Sequence, residues 1–142
     1  MDGRTAPYGA LILRFSMGLM FLAHASVKLF VFTPAGTAHF FDTLGLPGGL
    51  AYVVMTAEVL GAMALLLGVW TRIVALALTP ILIGAIVLVH GNNGWLFTNP
   101  NGGWEYLAFW IVGLIALAMV GDGAMALRPT PALSRFAKHH PA

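Results

Sequence analysis

The chain has no cysteine among its 142 residues. That excludes disulfides, thiol redox chemistry and cysteine-ligated zinc or iron–sulfur centres. Charge is nearly as scarce. Lysine, arginine, aspartate and glutamate together make up 8% of the chain, where soluble domains carry about a quarter. The formal net charge of +2 is too small to draw nucleic acid, and no basic run carries the interleaved aromatics of a nucleic-acid reader. With 59% hydrophobic residues and a mean hydropathy of +0.87, a soluble fold would have nothing with which to cover its surface. The composition is that of an integral membrane protein, with the lipid bilayer as its first partner and anionic headgroups facing its basic tail.

What the chain does have is long apolar runs. They cover about 8–32, 50–70, 73–90 and 105–120, each near the ~17–25 residues that cross a hydrocarbon core. Pro80 lies inside the third, where it removes one backbone hydrogen bond and predicts a kink. Residues 33–49 and 91–103 are dense in Gly, Pro and Asn and read as turns. Residues 69–72 make a tight connection, so the flanking helices form a hairpin. The expectation is an all-α integral membrane four-helix bundle over 1–126, followed by a polar tail over 127–142. No internal repeat is visible.

Four crossings put both termini and the 69–72 turn on one side. Arg4, Arg72, Arg128, Arg135 and Lys138 fall there and none falls in the opposite loops. The positive-inside rule then places both termini in the cytoplasm, and the expected location is a bacterial cytoplasmic (inner) membrane. A cleaved leader ending at "AHA" (23–25) fits poorly, because Arg14 lies close to the apolar core rather than in a compact basic start.

Against this background "FLAHASVKLF" (21–30) places His24 and Lys28 one turn apart inside a span. Glu58 is the one charge in the second run. His24 and Glu58 each lie ~12 Å from the outer end of their helix by the helical rise. His90 ends the third run and Glu105 begins the fourth, both at the outer rim. The expected arrangement is a polar network of His24, Lys28 and Glu58 closed by Glu105, since intramembrane ionisable groups pair with one another and mark function. Plainer readings stand beside it. Lys28 could snorkel to headgroups, His24 could be a neutral histidine bonded to a backbone carbonyl, and Glu105 could complement a helix dipole. A lone buried Glu58 would have to stay protonated.

Arg14 and Arg72 lie towards the cytoplasmic end, placed to hold lipid phosphates, one end of a bound cofactor, or the 69–72 turn. Trp95, Phe97, Trp104, Tyr106, Phe40 and Phe41 crowd the outer side, as an interfacial belt or as a mouth that stacks a flat ligand, with Trp104 and Tyr106 as cofactor contacts. His24, Glu58 and His90 are metal-ligand types, but no two histidines in the spans share helical ligand spacing. "KHH" (138–140) reads as solvated tail rather than a metal site. Gly61 and Gly68, two turns apart, offer a close approach for a neighbouring chain in a homo-oligomer.

These residues carry a resemblance to the DoxX family of small four-helix membrane proteins. Arg14 precedes a His-x-x-x-Lys element, His24 to Lys28. Glu-x-x-Gly follows at Glu58 and Gly61, Leu-Gly-x-x-Thr-Arg at 67–72, Gly-Gly-x-Glu-Tyr at 102–106 and Gly-Asp-Gly at 121–123. The likeness spans about 11–125, with Ala25 standing where a glycine often follows the histidine. It implies membrane redox chemistry: some relatives are subunits of a thiosulfate:quinone oxidoreductase, and others act in quinone or catechol stress and in membrane oxidoreductase complexes. The resemblance therefore implies a quinone-interacting redox component or a subunit of a membrane oxidoreductase system. Quinone is the one cofactor the resemblance suggests; no nicotinamide or flavin fingerprint is present, so electrons would come from a partner subunit or a small reductant. The alternatives are a non-catalytic assembly or scaffolding subunit of a larger membrane complex, and a small transporter, against which the lack of an inverted repeat argues.

Overall fold

A computed structural model describes residues 3–131. The chain is all-helical. Helix α1, Ala6–Ser26, starts on a proline in its first turn and runs on into a π-helical turn, Val27–Val31. Helix α2 is Pro34–Thr43 and helix α3 is Gly49–Leu67. Helix α4, Thr71–Ala85, runs into a second π turn, Ile86–His90, and a 3-10 turn, Gly91–Asn93. Helix α5 is Glu105–Val120. By length and composition Ala6–Val31, Gly49–Leu67 and Thr71–Asn93 can cross a membrane, whereas α5 is apolar but shorter, at 16 residues.

Pro80 sits inside α4 without ending it. The four long helices fall where the apolar runs predict them. Helix α2 does not: residues 33–49 hold a ten-residue helix rather than turns alone. The reason is local. Thr33 accepts a hydrogen bond from the Gly36 amide at 3.2 Å, and Pro34 occupies the first turn, where its missing N–H costs nothing.

Helix α1 packs on α3, α3 on α4 and α4 on α5, which returns to touch α1, while α2 lies across α3 and the first π turn. The core is Phe21 and Met17 from α1, Ala62 and Leu65 from α3, Leu78 and Leu82 from α4, and Trp110, Leu114 and Leu117 from α5. Close approach is built in at Gly61, where any Cβ would press into the Leu78 side chain at 2.7–3.0 Å. Gly68 ends α3 in the left-handed conformation (φ 70°) and lies directly against the Arg14 guanidinium. Both glycines are therefore used within the chain. Their spacing serves its own folding before any neighbour's approach.

Candidate functional site

At mid-bundle, Lys28 Nζ donates to Glu58 Oε1 at 2.5 Å. Glu58 is 3% exposed and Lys28 26%, so the pair is largely withdrawn from solvent. Such a pair offsets the desolvation of its members only when geometry is good, and the second carboxylate oxygen, Oε2, has no partner. Helix α2 steadies the lysine's backbone: Thr37 Oγ1 donates to the carbonyls of Lys28 (3.2 Å) and Thr33 (3.0 Å). Beside the pair, an apolar cleft of about 250 Å³ opens between Leu29, Pro34, Tyr52, Met55, Thr56 and Val59.

His24 takes no part in that pair. Its Nδ1 lies 2.9 Å from the Met20 carbonyl, and its ring sits 4.9 Å from that of Trp110 on α5, with the side chain exposed on the bundle surface. Lys28 thus turns towards α3 and His24 towards α5. The π turn that begins at Val27 comes between them and re-aims the lysine relative to a regular i, i+4 neighbour. Phe21 packs on the same indole at 4.6 Å. Trp110 is buried with its Nε1–H unpartnered.

Glu105 also stays outside the pair. It accepts the Phe97 amide at 2.8 Å and so closes the 94–105 loop onto the start of α5. His90 donates from Nδ1 to the Gly102 carbonyl (2.9 Å), which leaves Nε2 to accept from the Tyr106 hydroxyl (3.3 Å). Trp104 packs edge-on against Trp95 at 4.5 Å. Glu105, His90, Trp104 and Tyr106 together form a loop frame whose bonds are internal. Among the described residues no three metal-ligand side chains cluster, and His24, Glu58 and His90 each have other contacts. The 138–140 histidines lie outside the described residues, as do Arg135 and Lys138.

The end of the bundle where α1 begins and α5 stops is cross-tied. Arg72 donates to the carbonyls of Ala118 (2.8 Å), Met119 (2.9 Å) and Val120 (3.3 Å), capping α5 where its dipole is negative. Arg14, 1% exposed, gives Nη2 to the Ala124 carbonyl at 3.2 Å, while its Nε and Nη1 are buried without partners. Asp122 accepts from the Thr71 amide (3.0 Å), the Thr130 amide (3.0 Å) and the Thr130 hydroxyl (2.9 Å). Burial pushes its carboxyl up, but the hydrogen bonds from Thr130 and Thr71 prevail and hold it below the usual carboxylate range. The segment after α5 straps back over this turn. Trp70 N–H meets the Arg128 carbonyl at 2.9 Å, and the Leu127 amide meets the Leu67 carbonyl at 3.1 Å.

Trp110 and Asp122 escape a reading of the sequence for site residues. For Trp110 a signal existed: a tryptophan more than a turn inside an apolar helix is out of place in an interfacial belt. For Asp122 the only hint is its Gly-Asp-Gly setting, which says turn but not partner.

Long apolar helices, a lipid-compatible surface and a few buried, mutually tied ionisable groups define an integral membrane protein of the small helical-bundle class. The chain belongs to the DoxX family, whose model matches residues 9–91. It is 34% identical over 121 residues to "Putative oxidoreductase CatD" of Bacillus subtilis, covering 85% of each chain. It is 30% identical over 132 residues to "Inner membrane protein YphA" of Escherichia coli, covering 88% of this chain and 91% of that one. No solved structure matches.

Proposed function

We propose that this chain is a quinone-interacting component of a membrane oxidoreductase system. It sits in the cytoplasmic membrane with both termini inside and α5 as the fourth crossing. The observation that carries the reading is His24, a polar ring on the exposed side of α1, set 4.9 Å from the indole of Trp110 and tilted 58° to it. A quinone diffuses in the bilayer and needs a hydrogen-bonding group reachable from the side. The exposed His24 supplies that group, with Trp110 buried behind its ring. Lys28 and Glu58 hold α1 to α3 one turn further along. The name of the B. subtilis relative agrees with redox work.

The test is native mass spectrometry after gentle extraction from the membranes of the host. Wild type is expected to retain a quinone that His24→Phe loses. A second reading, an assembly subunit, draws on the Lys28–Glu58 pair, which ties two helices and suits a role in fixing register. A stoichiometric protein partner with no small molecule attached would decide for it.

A further inference from the structure

The tautomer of His24 is set by its neighbour. A carbonyl oxygen only accepts, so the contact at 2.9 Å makes Nδ1 the protonated nitrogen, donating to Met20. In the neutral ring Nε2 is then a bare lone pair. No described side chain donates to it: Ser26 Oγ gives its proton to the Leu22 carbonyl, and the Lys28 ammonium is turned to Glu58. His24 lies seven residues before the end of the 26-residue span Ala6–Val31, so ~10 Å inside it by the helical rise. At that depth neither bulk water nor a headgroup donor is at hand, and an acceptor left unmet in hydrocarbon is costly. Next to it, Trp110 holds a second buried polar group without a partner, in a ring whose neighbours are Phe21 and His24.

The geometry points to a lipid-soluble quinol, the reduced form, as the ligand of His24: its phenolic O–H donates to Nε2 on the exposed side of α1. The inference rests on the quinone-interacting reading above and adds a redox preference to it. An oxidised quinone carries only carbonyl acceptors, so at Nε2 it would set lone pair against lone pair. The fixed tautomer therefore discriminates between two forms of one molecule that differ little in shape. Discrimination of this kind, from a polar group left unpaired by the wrong ligand, is far stronger than an apolar pocket can provide.

The experiment uses the full chain in lipid nanodiscs, titrated calorimetrically with decylubiquinol and with decylubiquinone. Wild type is expected to bind the quinol at least tenfold more tightly. With ¹⁵N-labelled histidine, the His24 Nε2 resonance should move towards the hydrogen-bonded position with quinol and stay in place with quinone. In His24→Gln, whose amide offers both a donor and an acceptor, the preference should fall below twofold. Equal affinities in wild type, or a preference that survives in His24→Gln, would overturn the inference and leave the quinone-interacting reading intact. Failure of both ligands to bind overturns the two together. Should His24→Gln not fold, the wild-type affinity ratio and the ¹⁵N response decide by themselves.

Discussion

At the scale of single residues, the Lys28–Glu58 pair separates what is legible in a sequence from what is not. Two opposite charges at matching depth in neighbouring spans could be paired on paper, because hydrocarbon leaves an ion few alternatives. The same argument assigned His24 to the pair and failed. It assumed regular helical spacing, whereas a π turn begins between His24 and Lys28. Once paired, the two charges depend on each other unequally. Lys28→Met leaves Glu58, at 3% exposure, without its counter-ion and is expected to destabilise by about 3–5 kcal/mol. The double variant Lys28→Met/Glu58→Leu should recover most of that loss. Thermal unfolding in one detergent, run as a double-mutant cycle, measures the coupling. A double variant no better than Lys28→Met alone would show that the lysine stem, not its charge, matters.

At the scale of elements, the ends of helices explain more than their middles. The four apolar runs announce four helices, but turn-type composition hid α2, whose Thr33–Pro34 start is a helix signal set inside a Gly- and Pro-rich stretch. The cross-ties at the other end are long-range and therefore invisible in sequence. Asp122 serves α4 as an N-terminal cap from 51 positions away, through the Thr71 amide. Its sign under acid follows directly. The folded carboxyl is held below its unfolded value, so its contribution is complete above about pH 4 and drains away as pH falls through the folded value. Asp122→Ala should cost roughly 0.5–2 kcal/mol at neutral pH, in the range of lost caps. Once the pH has fallen below the folded value, the variant and wild type should converge. Unfolding curves at several pH values check this, and a constant gap down to low pH would assign the residue a role that does not depend on its charge.

At the scale of the whole molecule, the outside is as informative as the inside. Phe30 is 81% exposed and Phe109 and Met119 are 74% exposed, a surface suited to lipid. The weak point in the crossing count is α5. Its 16 residues span roughly 24 Å at 1.5 Å each, short of a ~30 Å hydrocarbon core. Two features make up the difference. Trp104 and Trp95 sit at its start, and tryptophan is a residue type that anchors in a membrane interface. Arg72 closes its far end by binding three otherwise unsatisfied carbonyls, so those groups need no water. Helix α5 is also packed along α4, which is long enough to cross and fixes its depth. Topology reporters decide the matter. A phosphatase fused after Phe97 should be active outside the cytoplasm, and a fluorescent protein fused after Pro131 should mature inside it. If both fusion points report the same side, α5 does not cross, and the side that they share identifies which terminus has been misplaced.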